Sequence, residues 1–136
     1  MSSFRFRKKT EYGLMMMTML VAAGRGTTVS VAKMQKSGLP RSFLVKIARD
    51  LIKAGLIAAK EGRGGGYRLL GNPQKISLRK VVEAIEGKLA TTGCLVHGAR
   101  PCPLAKTCPH RRMMGAITEK IEKILDEYSL DEMGRK

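Results

Sequence analysis

With 136 residues, 43% of them hydrophobic, the chain fits one ordinary domain with an added pairing helix and leaves little room for a second large domain. Its 26 Lys and Arg against 11 Asp and Glu give a formal charge of +15, which suits a polyanion and puts nucleic acid ahead of acidic lipid as the partner. No run of about 18 apolar residues could span a membrane, and the basic start followed by Met15 to Ala23 lacks a signal-peptide end, so a cytoplasmic chain with no membrane partner is expected.

The charge is uneven. Residues 1–63 hold thirteen basic side chains against Glu11, Asp50 and Glu61, whereas 113–134 hold Lys120 and Lys123 against six acidic ones. The N-terminal half is therefore the one expected to face phosphates.

Tyr12, Met16, Met19, Leu20 and Ala23 fall at helical spacing until Gly24 and Gly26, which predicts a first helix from about Thr10 with the methionine run in the core. Ser30 can cap a short helix over Val31 to Ser37, Gly38 breaks it, and Pro40 stands where another begins, a helix-turn-helix layout. In the third helix Leu44, Ile47, Ala48 and Leu51 form an apolar stripe. Arg41, Ser42, Val45, Lys46, Arg49 and Lys53 lie off that stripe, and most are the short polar and basic side chains that reach base edges and phosphates in the major groove of double-stranded DNA. Any solvated helix can show such a face, so the next segment matters.

Gly55 ends the helix, Leu56 to Lys60 reads as a strand, Gly62 to Gly66 as a turn and Tyr67 to Leu70 as a returning strand, together a β-hairpin wing. Lys60, Arg63, Gly64, Gly65 and Gly66 make a basic tip whose backbone can approach a narrow groove, where arginine is electrostatically favoured. The glycines do not read as a nucleotide loop, because they lie between strands and lack the phosphate-loop Lys-Ser/Thr pair.

Pro73 closes the hairpin, and Ser77 can cap a helix from Leu78 to about Glu86 whose face Val81, Val82 and Ile85 braces the winged unit. Residues 87–108 show little periodicity and hold every cysteine, a loop long enough to need a specific source of order such as a ligand. From about Pro109 the pattern Met113, Ile117, Ile121, Ile124, Leu125 and Tyr128 is helical. The stripe Ile117, Ile121, Ile124 and Tyr128 is too apolar for an exposed terminal helix and is expected to bury against a second copy in a homodimer. The predicted architecture is mainly α with a small β-hairpin: a winged helix-turn-helix domain at 1–86, a cysteine loop at 87–112, and a dimerisation helix with its tail at 113–136.

Cys94, Cys102 and Cys108 are separated by seven and five residues, with His97 and His110 nearby. An odd number argues against a disulfide framework, and soft thiolates so grouped suit an iron–sulfur cluster or zinc. Compact zinc sites favour shorter gaps within each ligand pair, yet spacing leaves cluster, zinc and unliganded redox-active thiols all open.

Lys9-Thr-Glu-Tyr-Gly-Leu14, Ala54-Gly-Leu-Ile57 and Gly62-Arg-Gly-Gly-Gly-Tyr-Arg68 resemble the bacterial Rrf-type winged-helix transcriptional regulators, which include the IscR- and NsrR-like iron–sulfur proteins, and the resemblance runs from about Phe4 to Tyr128. It implies a homodimer crossing long C-terminal helices, and a [2Fe–2S] or [4Fe–4S] cluster on Cys94, Cys102 and Cys108. The IscR pattern places a histidine three positions after the third cysteine, where this chain has Arg111, with His110 one residue earlier. The NsrR pattern takes an acid near the start of the first helix from the other subunit, a position that Glu11 matches. The resemblance therefore favours Glu11 of the partner subunit over His110 as fourth ligand, with His97 in reserve. On residues alone, Glu11 reads equally as a first-turn acid favoured by the helix dipole. The expected function is a dimeric DNA-binding regulator sensing iron, redox state or nitric oxide, and not an enzyme. The alternatives are a zinc-stabilised or metal-free regulator and a small iron–sulfur electron-transfer protein.

Overall fold

The computed structural model describes residues 5–98 and 102–134. The first helix, α1 (Lys8–Ala23), starts two residues earlier than the apolar spacing suggests. Arg7 gives it no side-chain cap, and a carboxylate from elsewhere serves that end: Glu86 Oε1 accepts from the buried Thr10 hydroxyl at 2.7 Å and from the Arg7 N–H at 3.3 Å. A negative group is stabilised at a helix N-terminus by the orphan N–H groups and the dipole.

A two-residue strand, β1 (Val29–Ser30), leads directly into α2 (Val31–Lys36), where Ser30 Oγ accepts from the Lys33 N–H at 3.1 Å as the sequence predicts. Helix α3 (Arg41–Lys53) follows, then β2 (Ile57–Lys60) and β3 (Gly66–Leu69). The sheet is antiparallel in the order β1-β3-β2, with Ile57 opposite Leu69 and Val29 opposite Tyr67. The expected hairpin has thus become a three-stranded sheet.

Gly66 explains how the third strand fits. It pairs with Ser30 on one side and Lys60 on the other, and a Cβ built there would lie 2.0 Å from the Val29 carbonyl oxygen. Since that obstacle is backbone, a side chain at position 66 would drive β1 off the sheet.

After a short turn at Pro73–Lys75, Ser77 Oγ accepts from the Lys80 N–H at 3.2 Å and starts α4 (Leu78–Glu86). The region read as loop contains a short helix, α5 (Gly93–His97), and α6 (Pro109–Asp126) begins where proline at a first helical position suggests. One further turn, α7 (Leu130–Met133), bears a capping box in which the Ser129 N–H donates to Glu132 Oε2 at 3.0 Å.

One core serves the winged unit. Met16, Met17 and Leu20 of α1 meet Met34 and Leu39, the α3 residues Leu44, Ile47 and Leu51, and Leu56, Ile57 and Leu69 at the sheet. Val81 and Ile85 of α4 close one side, and Leu130 of α7 is fully buried in the same cluster. Burying each such side chain contributes about 1.5 to 3 kcal/mol relative to leaving it in water. Residues 128–130 are stitched back by backbone bonds: the Leu78 N–H donates to Tyr128 O at 2.8 Å and the Leu130 N–H to Ile76 O at 2.9 Å.

Between those bonds and the cysteine region, a cluster of ion pairs around one arginine ties α6 to α4. Arg79 donates to Glu83 at 3.0 Å and to Asp126 at 3.0 Å, and also pairs with Glu122. Hydrogen bonds to Glu83 and Asp126 push its guanidinium above its already high ordinary range. Nearer the start of α6, Thr118 and Thr91 share a hydroxyl contact of 2.9 Å, and both hydroxyls donate to Met114 O, which pins the segment after α4 against the helix.

Candidate nucleic-acid interface and cysteine region

Helix α3 divides its side chains sharply. Leu44, Ile47, Ala48 and Leu51 are buried, while Arg41, Ser42, Val45, Lys46, Arg49 and Lys53 are exposed. The helix is held from α1 by an ion pair of Lys9 with Asp50 and by an edge-on ring contact of Tyr12 with Phe43, centroids 5.0 Å apart. Such partly exposed pairs add little stability, so the buried stripe fixes the helix and the contacts orient it.

Lys60, Arg63 and Gly64 are exposed at the wing tip, and Gly65 is half-buried. The glycine run is required by the hairpin itself. Gly62 and Gly64 take φ of +85° and +68°, a region that disfavours L side chains, and a Cβ on Gly65 would lie 2.5 Å from Lys60 O and 2.7 Å from Gly62 O. Between helix and wing runs a concavity of about 450 Å³ lined by Val45, Ala48, Arg49, Ile52 and Lys53 with Ala59 and Tyr67. Ile52 was absent from the sequence-derived face because it reads as one more apolar helix residue, although its spacing of seven from Val45 places both on one side.

The cysteine region is organised differently. Cys94 on α5 and Cys108 are half-buried and Cys102 is exposed, all three as free thiols. Cys108 is the N-cap of α6, its Sγ accepting from the Arg111 N–H at 3.3 Å, and Cys94 Sγ lies 4.0 Å from Thr92 Oγ1. Among the described residues of one subunit, no three His, Cys, Asp or Glu side chains converge as a metal site. His110 is exposed in the first turn of α6, and the side chain of His97 lies outside the described residues.

Cys108 opens onto a cavity of about 470 Å³ that it shares with Leu95, Ala105, Lys106, Thr107, Arg111 and Arg112. The Nε of Arg111 is buried without a hydrogen-bond partner. A buried donor left unpaired is costly, and three cations with a thiol suit an anionic, sulfur-ligated occupant. Of the three cysteines only Cys108 lines this cavity, so the residues here suit an anion, while the described residues assemble no complete ligand set for a cluster.

Glu11 lines a different groove, of about 700 Å³, with Phe6, Leu89, Thr118, Ile121 and Ile124 among its walls, and its carboxylate pairs with Lys8 at 3.3 Å. The same groove thus joins Glu11 to the apolar stripe of α6. Ile117, Ile124 and Tyr128 are 39%, 53% and 54% exposed, and Ile121 is half-buried.

Among the described residues no helix is long and apolar enough to cross a membrane. Residues 6–136 match the Rrf2 family model, described as an iron-dependent transcriptional regulator. An rrf2-like HTH-type transcriptional regulator of Rhodobacter capsulatus is 34% identical over 72% of this chain and 68% of its own length. The HTH-type transcriptional regulator IscR of Aliivibrio salmonicida is 32% identical over 73% of the chain but only 58% of its own length. NsrR of Halalkalibacterium halodurans is 28% identical over 91% of the chain and 86% of its length. Among solved structures, CymR, titled the global cysteine regulator of B. subtilis, superposes with a TM-score of 0.73 at 24% identity, covering 96% of each chain. A winged helix-turn-helix built on a basic α3 and a glycine-tipped hairpin, matched by this family model over nearly all its length, places the chain in the Rrf2 family of DNA-binding transcriptional regulators.

Proposed function

We propose that the chain works as a homodimer on duplex DNA, with α3 in the major groove, the wing tip in an adjoining narrow groove, and the cysteine region as the switch. The observation that carries the DNA geometry is the concavity in which the cationic face of α3 and the wing strands share one surface. Arg41, Ser42, Lys46 and Arg49 supply phosphate and base-edge donors along the helix, and Lys60 and Arg63 extend the positive surface to the tip at Gly64 and Gly65. The exposed side chains of Ile117 and Ile124 on α6, with Tyr128 just past its end, support pairing along this helix, which would set the spacing of two recognition helices.

Cys94, Cys102 and Cys108 would hold an iron–sulfur cluster, with Glu11 of the partner subunit completing its ligands and His110 the alternative. The iron-dependent description of the family favours iron over zinc here. When bound, a cluster supplies a redox- and ligand-sensitive centre whose integrity reports the chemical state of the cell. The chain's own part is to translate order in the cysteine region into helix position. Cys108 is the first cap of α6, and the far end of that helix is tied through Arg79 and residues 128–130 to the winged unit. Gain or loss of order at one end therefore bears on the recognition helix through a continuous, packed element.

The test is one anaerobic preparation examined by absorption spectrum, metal content and DNA shift. Coloured protein is expected, binding a duplex with affinity that falls steeply between about 50 and 200 mM salt as counterions are released. Colourless protein with stoichiometric zinc would replace the sensing proposal with a structural metal, and absence of salt-sensitive DNA binding in either metal state would overturn the interface.

A further inference from the structure

The exposed face of α3 is not uniformly polar. Val45 at 48% and Ile52 at 41% are the large apolar side chains that the helix leaves in the open. Both sit among Arg41, Ser42, Lys46, Arg49 and Lys53. An exposed β-branched residue adds little to packing and has a weaker helix preference than Ala or Leu, so neither core nor helix formation accounts for Val45.

Position along the helix separates the two. Val45 is in the second turn, with Ser42 three residues before it and Arg49 four after it, so the three make one strip along the helix. Ile52 lies about 10.5 Å further along the axis, at the C-terminal end of α3, beside Ala59 and Tyr67. Helices of this motif present their N-terminal residues to the bases. The apolar feature in a major groove is the C5-methyl group of thymine, and the cations around Val45 match the phosphates on either side of it.

Resting on the DNA geometry proposed above, we infer that Val45 is a specificity-determining residue whose methyl groups pack on the C5-methyl of a thymine in each half-site. Ser42 and Arg49 flank it as polar readers or phosphate anchors, so the strip reads a thymine bordered by hydrogen-bonding positions. Ile52 shares the chemistry of Val45 without its placement and serves as the internal control.

The experiment uses the full chain. Duplexes are selected from a random pool, and each thymine of the preferred duplex is replaced in turn by deoxyuridine, which removes only the methyl. Affinity is read by fluorescence anisotropy at fixed salt. At one thymine per half-site the wild type should bind about fourfold more weakly, the value of one methyl withdrawn from an apolar contact. V45A should be indifferent to that replacement, and I52A should keep the fourfold loss. Because Val45 is exposed, V45A should melt with the wild type. A preferred duplex with no methyl-sensitive thymine, or an undiminished penalty in V45A, overturns the inference while leaving the DNA interface standing. A pool that yields no preferred duplex overturns both.

Discussion

The winged unit and the cysteine region sit side by side in one chain, but among the described residues only the first closes on itself. In the winged unit Met16, Leu44, Ile57, Leu69 and Leu130 close one core, Ser30 and Ser77 cap α2 and α4, and the cations stand on the face of α3 opposite its buried stripe. Around the cysteines the thiols do not converge among the described residues, Arg111 Nε is buried without a partner, and the neighbouring helix α6 exposes Ile117 and Ile124. The difference teaches where order is built: the reading surface is preorganised by the core beneath it, whereas the cysteine region, on the function proposed above, would be finished by a second copy and a ligand.

The largest effect should come from Gly66→Ala, which sets a Cβ against the Val29 carbonyl in the finished half. We expect a loss of about 3 kcal/mol or more in urea unfolding, with DNA binding falling in parallel. A wild-type midpoint would mean that β1 is dispensable.

Next in size is Ile124→Asp, chosen because that side chain is exposed in one subunit and cannot disturb its core. Dimer affinity should weaken by about 2 to 3 kcal/mol, seen as monomers in sedimentation at low micromolar concentration with unchanged helical content. Persistence of the dimer would move the pairing surface away from α6.

Arg63→Ala should weaken duplex binding by about 1 to 2 kcal/mol and lower the salt dependence of what remains, without altering stability, because the side chain is exposed at the wing tip. Equal binding by the variant would confine recognition to α3.

Cys102→Ala comes last, since it should leave unfolding within about 0.5 kcal/mol of the wild type because the residue is exposed, while visible absorption is lost. If that substitution instead unfolds the winged unit, the two regions are one cooperative body and the comparison fails.

Much of the finished half could be read from the sequence because its signals are local. Ser30 and Ser77 cap the helices that their positions announce, and the stripe Leu44, Ile47, Ala48 and Leu51 faces inward as its spacing requires. Strand β1 escaped notice because two residues cannot display an alternation, and its place depends on Gly66, distant in sequence. Helix α7 carried a readable Ser-x-x-Glu signal at Ser129 and Glu132, but the apolar period running to Tyr128 masked the break before it. No local pattern singles out Arg79, because only the fold brings Glu122 and Asp126 to it. The cysteine spacing left cluster, zinc and free thiols open, because distance along the chain does not say which side chains converge in space.

The return of α7 to the winged core also governs when that core can close. Leu130 is fully buried beside side chains of α1, and a Cβ on Gly134 would strike Val21, so elements more than a hundred residues apart must meet. During synthesis, α1 waits with part of its apolar face open until residues 129–134 have left the ribosome, and local helix formation cannot shorten that wait. A product that stops near Tyr128 would keep every DNA-facing side chain yet lack the plug that Leu130 provides, leaving a core void and an easy path for proteolysis.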